Sequence, residues 1–256
     1  MAYAKIRLEP FLDGQAMRLV LNAPSGNVLD GAMMAEINDA LDGLKREAGL
    51  KLLCFTGEGK HFSFGASVEE HVGEKARGML KAFHGLFGRL VDLSVPTAAA
   101  VKGRCLGGGM ELAAFCTRVV AHPSAVFAQP EIQLAVFPPV ASLILPFRVG
   151  QSRADELNLT GRNVEAAEAK AMGLADELAE FPLVAIEEWA RKELVPKSSS
   201  SLRMAVRASR WAMNKALREE LPRVEALYLD ELMKTHDATE GLQAFLQKRP
   251  PAWRNS

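Results

Sequence analysis

The spacing of apolar positions along the chain changes repeatedly, and each change predicts an element. The stretches 5–9 and 17–21 are short and strand-like, and Asp13-Gly14 lies between them, which predicts a hairpin. Residues 23–30 hold Pro24 and Gly26 and read as a loop. From 31 to 47, Met33, Met34, Ile37, Ala40, Leu41 and Leu44 recur with helical spacing. The run 50–56, LKLLCFT, predicts a buried parallel strand. Residues 57–65 are a glycine-punctuated loop, and 76–93 predict a helix that ends before Pro96. Residues 97–102 form another buried strand, which runs into three consecutive glycines. Two further short strands are expected at 119–121 and 126–128.

Beyond Pro146 the helical period dominates, at 153–159, 166–172, 183–194, 202–217, 219–234 and 239–247. Residues 198–201, four serines, read as a linker or a helix start. The division expected is an α/β core over 1–190 and a helical region over 191–256. In α/β proteins ligands favour the loops after the carboxyl ends of strands. The strands ending at Thr56 and Lys102 are both followed by such glycine-bearing loops.

Composition narrows the function classes. The chain's 256 residues, 48% of them hydrophobic, are ample for a large core. Its 31 basic and 31 acidic residues balance, which argues against nucleic acid as a partner. The amino terminus lacks the apolar run of a secretory signal. The longest uncharged apolar stretch, 134–147, is too short for a membrane span and holds three prolines. Cys54, Cys105 and Cys116 have no metal-like spacing and sit among apolar residues, so buried thiols in a reducing cytoplasm are expected. His61, His71, His84, His122 and His236 show no ligand spacing and read as structural or surface residues. No dinucleotide fingerprint or metal-ligand cluster appears, so neither a metal nor a redox cofactor is expected.

The chemistry concentrates in 101–134, VKGRCLGGGMELAAFCTRVVAHPSAVFAQPEIQL. Gly107 to Gly109 open a helix, Glu111 follows within its first turn, and Glu131 comes 20 residues later, directly after Pro130. Glycines let a backbone approach a ligand closely, and a helix N-terminus offers free N–H groups to a developing negative charge. Two carboxylates beside such a site can supply an acid and a base. Taken singly, Glu111 reads more readily as a solvated first-turn residue and Glu131 as a surface residue, and the glycines read also as a tight strand-to-helix turn.

Four segments in order carry more weight than any one of them: TGEGKHFSFGASV (56–68), PTAAAVKGRCLGGGMELAAFC (96–116), QPEIQL (129–134) and EGLQAFLQKR (240–249). Together they resemble the crotonase (enoyl-CoA hydratase/isomerase) superfamily over nearly the whole chain. The resemblance implies a crotonase-like spiral of ββα units with a C-terminal helical trimerisation region. It also implies homotrimers, commonly paired as hexamers, and an acyl-CoA substrate that brings the CoA with it. The backbone N–H groups of Ala66 and Gly108 would form an oxyanion hole for the thioester. Gly65, Ser67 and Gly107 would flank the substrate. Glu111 would activate water and Glu131 would deliver a proton to carbon. Phe245 and Lys248 would touch the CoA of a neighbouring subunit, although they read equally as an ordinary amphipathic helix end.

The chain also departs from the family pattern. Ser67 and Thr117 stand where many hydratases have aspartate. After Glu131 the usual glycines are replaced by Ala135, Pro139, Ala141 and Ser142, which predicts a stiffer, more apolar loop over the acyl pocket. In this the chain resembles a specialised subgroup, the cyclohexa-1,5-diene-1-carbonyl-CoA hydratases of anaerobic aromatic degradation. A rigid wall over 136–144 would suit a flat ring. Straight-chain hydration, double-bond isomerisation and a non-catalytic RNA-binding role are the alternatives. Isomerisation can run on one carboxylate, so the pair favours hydration, and the balanced charge argues against RNA.

Overall fold

The structure, a computed structural model, describes residues 3–73 and 75–256. Strands β1 (Ile6–Phe11) and β2 (Ala16–Leu21) form the expected hairpin, turned by Leu12, Asp13 and Gly14 at positive φ. Strands β3 (Leu52–Gly57), β4 (Thr97–Val101), β6 (Arg118–Ala121) and β9 (Glu177–Leu178) add in parallel, giving the order β1-β2-β3-β4-β6-β9. A second sheet has the order β5-β7-β8, from Arg104–Leu106, Val126–Ala128 and Val164–Glu165.

Strands β3 and β4 are buried on both faces, which is why they read as unbroken apolar runs. Leu53, Phe55, Ala99 and Val101 enter the main core, under helices α1 (Gly31–Leu44) and α2 (Lys75–Leu93). Their neighbours Leu52, Cys54, Ala98 and Ala100 point the other way, against Ile186, Ala190 and Leu194. That opposite face is covered by α7 (Pro182–Glu193), so the division at 190/191 falls within one helix.

The units repeat as a spiral. Strands β2, β3, β4 and β6 are each followed by a rung of a second layer and then a helix. After β2 the rung is Leu29, bridged to Ala66, and α1 follows. After β3 it is Ser63, bridged to Cys105, and α2 follows. After β4 it is β5, then α3 (Gly108–Phe115). After β6 come β7, a 3-10 turn (Pro130–Leu134) and α4 (Pro139–Val149). The loop expected at 57–65 therefore ends in a strand-like rung, too short to carry an alternating pattern.

The segment after Glu131 differs from the stiff loop expected. Ala135 turns the chain at φ 56°, and from Pro139 it is helical. Proline at a first helical position has its φ preset and lacks only an N–H that the helix leaves free, so Pro139 starts α4 instead of stiffening a loop. The helix expected at 202–217 is two, α8 (Ser199–Ser209) and α9 (Trp211–Glu219), broken at Arg210. The guanidinium of Arg210 lies 4.6 Å from the Phe115 ring centroid and bonds the Phe115 carbonyl, which ties the break to the end of α3. The helix expected at 219–234 is α10 (Leu221–Ala226), a π-helical turn (Leu227–Glu231) and a 3-10 turn (Leu232–Lys234). The last helix, α11 (His236–Leu246), starts earlier than its apolar period suggested because Thr235 caps it through the Ala238 N–H. Helices α5 (Gln151–Thr160) and α6 (Ala166–Ala171) lie close to expectation.

Candidate active site

The loop that delivers Ala66 is held by side-chain bonds to backbone. Asn27, fully buried, donates its amide to the carbonyls of Glu58, His61 and Phe62 at 3.0, 2.9 and 3.2 Å. Ser63 Oγ donates to the Asn27 carbonyl at 2.8 Å and accepts from the Gly65 N–H at 3.0 Å. The second loop meets the first at its glycines. A Cβ on Gly65 would lie 2.8 Å from the Leu106 oxygen and 3.0 Å from the Gly108 nitrogen. A Cβ on Gly108 would lie 2.9 Å from Phe83 and 3.3 Å from the Ala66 nitrogen. The two expected oxyanion donors are therefore neighbours. Among the described residues no protein group accepts from either N–H, so both are available to a ligand.

The triple glycine has three separate reasons. Gly107 adopts φ 49°, ψ −126°, and a Cβ there would lie 2.6 Å from Glu131 Oε1. Gly108 faces Phe83 and the Ala66 amide, and a Cβ on Gly109 would lie 2.7 Å from that of Ser63. Substitution at 107 would add strain to collision, since that φ disfavours side chains.

Both glutamates belong to the site, so neither is a solvated surface residue. Glu111, in the first turn of α3, is 3% exposed, and its Oε1 accepts the Ala141 N–H at 2.7 Å. Glu131 is half-buried as a residue, but its Oε2 is fully buried and has no hydrogen-bond partner among the described residues. Burial pushes the Glu111 carboxyl up from the usual range, with the Ala141 and Val140 amides pulling it partly back. Glu131 is pushed up by burial and further by the charge of Glu111. Both carboxyls are thus held above the ordinary range, and the two amides favour the ionised form at Glu111, with no such amide pair at Glu131 among the described residues.

These groups face one cleft of about 610 Å³, open mouth included. Gly65, Ala66, Gly107, Gly108, Glu111 and Glu131 line it. Its walls are mainly apolar, from Leu80, Phe83, Val136, Phe137 and Pro139. Ser67 borders the cleft without lining it, and its carbonyl accepts from His71 Nδ1 at 2.7 Å. His71 itself does line the cleft, contrary to the structural or surface role expected from sequence. Burial lowers its pKa, which favours the neutral imidazole, against the raising effects of the Ser67 carbonyl and Glu70. Phe245, 54% exposed, and Lys248 lie outside the cleft at the end of α11. Cys54, Cys105 and Cys116 are buried free thiols. Thr117, at the departure from aspartate, exchanges hydrogen bonds with Thr97 between the starts of β4 and β6.

Sequence reasoning missed Asn27, Ser63, His71 and Tyr228. Tyr228, from the π-helical turn, closes the cleft from the C-terminal region. The 3.6-residue period made it one apolar position among many. No helix among the described residues is long and apolar enough to cross a membrane.

Comparison with known proteins gives the family. The family model described as enoyl-CoA hydratase/isomerase matches residues 15–256. The chain is 46% identical over 243 residues to the cyclohexa-1,5-dienecarbonyl-CoA hydratase of Thauera aromatica, covering 95% of this chain and 94% of that one. It is 34% identical over 255 residues to a probable enoyl-CoA hydratase of Mycobacterium bovis, covering 98% of each. A solved structure of a putative enoyl-CoA hydratase from Mycobacterium avium paratuberculosis superposes with a TM-score of 0.87 at 25% identity, over 98% of this chain and 100% of that one. The chain belongs to the crotonase, or enoyl-CoA hydratase/isomerase, family.

Proposed function

We propose that this chain is a hydro-lyase that adds water to cyclohexa-1,5-diene-1-carbonyl-CoA, giving 6-hydroxycyclohex-1-ene-1-carbonyl-CoA in anaerobic aromatic degradation. The observation that carries this reading is the pair Glu111 and Glu131, both lining one apolar cleft beside the free amides of Ala66 and Gly108. The printed activity of the Thauera relative supports the cyclic substrate.

The thioester oxygen would accept from the Ala66 and Gly108 N–H groups, which stabilise the dienolate as charge moves onto it. Glu111, ionised and held by α4, takes a proton from water. The water oxygen bonds to the ring carbon next to the thioester-bearing one. Glu131, holding a proton, delivers it to the far end of the diene. A proton returned from Glu111 to Glu131 closes the cycle. An isomerase needs one carboxylate to move one proton, so two carboxylates in the cleft favour water addition. The walls formed by Phe83, Val136, Phe137 and Pro139 suit a flat hydrocarbon ring. Assembly into trimers or hexamers would bring the exposed Phe245 and Lys248 to a neighbour's CoA, with no further cofactor required.

The test is mass-resolved turnover of the cyclic diene and of crotonyl-CoA side by side. Gain of one water on the diene, lost in Glu111→Gln and in Glu131→Gln, is expected. Turnover of crotonyl-CoA alone would return the chain to straight-chain hydration, and an isomeric product of unchanged mass would replace hydration by isomerisation.

A further inference from the structure

Tyr228 is 1% exposed, yet its hydroxyl has no hydrogen-bond partner among the described residues. Buried hydroxyls are almost always paired, so one without a protein partner inside a ligand cleft points to a partner that arrives with the ligand. The ring is fixed edge-on to Phe137, with centroids 5.4 Å apart at 76°. Glu131 Oε2, in the same cleft, also lacks a partner. Burial, then the charges of Glu131 and Glu111, hold the phenol proton in place, so the group is a donor throughout the working pH range.

On the hydratase reading, the acyl end of the substrate is a hydrocarbon ring. Only two oxygens enter this end of the cleft: that of the thioester and the one the reaction adds. The Ala66 and Gly108 amides serve the first. We propose that the Tyr228 O–H is the hydrogen-bond donor to the second, the water before attack and the ring hydroxyl after it. Tyr228 keeps its own proton throughout. The water's proton goes to Glu111, its oxygen bonds to carbon, and the new C–H bond takes the proton of Glu131. By occupying one lone pair of the water, the phenol leaves the other directed at the ring.

Tyr228→Phe removes the hydroxyl and keeps the ring. Its kcat for hydration should fall about 10- to 100-fold with KM little changed. Its melting temperature without ligand should be equal or higher, because an unpaired buried group is gone. A binding measurement separates this role from packing. In a Glu111→Gln background, which suppresses turnover, calorimetry compares 2-hydroxycyclohexane-1-carbonyl-CoA with cyclohexane-1-carbonyl-CoA. Adding Tyr228→Phe should weaken the hydroxylated ring roughly tenfold and leave the other unchanged. An unchanged kcat, or equal weakening of both thioesters, would overturn the proposal. Failure of wild-type protein to hydrate the diene would sink the substrate reading instead. If the wild type hydrates crotonyl-CoA, 3-hydroxybutyryl-CoA against butyryl-CoA gives the same test of Tyr228.

Discussion

The Ala141 N–H donates to Glu111 Oε1 at 2.7 Å, so the first turn of α4 holds the carboxylate that α3 presents. Two helix N-termini thus converge on the cleft, that of α3 beside the Ala66 amide and that of α4 at Glu111. A helix N-terminus favours negative charge, which opposes the effect of burial on Glu111. Pro139 starts α4 and thereby positions Ala141. Pro139→Gly should loosen that turn and cost about 1 kcal/mol through the unfolded chain. It should also move the acidic limb of the kcat–pH profile to higher pH, since Glu111 then loses part of its stabilisation. An unmoved limb would separate α4 from the ionisation of Glu111.

On the proposed mechanism, activity requires Glu111 ionised and Glu131 protonated. Both are pushed above the ordinary carboxyl range, Glu131 additionally by Glu111. The kcat profile should therefore be a bell displaced upward from ordinary carboxylate values, falling on the acid side with Glu111 and on the alkaline side with Glu131. Replacing either by Gln should lower kcat about 10²–10⁴-fold.

The same shifts carry a stability prediction. A carboxyl whose folded pKa is raised contributes stability that is fully present below its unfolded value and is lost as pH rises through the folded value. Glu131→Gln removes that loss. Its melting temperature relative to wild type should climb between about pH 5 and about pH 8. A difference independent of pH would contradict the burial of an ionisable carboxyl there.

Gly107→Ala should disable the site without unfolding the protein. The new methyl would occupy the place of Glu131 Oε1, 2.6 Å away, at a backbone angle that disfavours side chains. A displacement of Glu131 by about 1 Å is expected to lower kcat about 10²-fold. Steady-state kinetics beside circular dichroism checks this, and near-normal kcat would show that Glu131 can be relocated freely.

Asn27 pins the loop that ends at Ala66. Asn27→Asp keeps the shape but loses the donor. It should cost about 2–3 kcal/mol in denaturant unfolding and lower kcat through the Ala66 amide. Loss of stability with kcat intact would make the loop merely structural.

Much of this protein was legible in the chain. The strands at 50–56 and 97–102 could be read because burial on both faces forces unbroken apolar runs, and α1 and α2 because one buried stripe imposes a 3.6-residue period. Glu111 and Glu131, each of which taken singly reads as an ordinary solvated glutamate, were legible because the four motifs together resemble the crotonase family. The short rungs at Leu29 and Ser63 were not, since a one-residue bridge has no period. The sequence by itself determined the buried runs and stripes of the main strands and helices and marked Glu111 and Glu131 as candidates, because those follow from local spacing, residue type and the four motifs. Only the tertiary structure decided what faces what. Ala66, Glu131 and Tyr228 lie far apart in the chain and reach one cleft through the packing of the first glycine loop, the 3-10 turn and the π-helical turn, and local patterns hold no record of that packing.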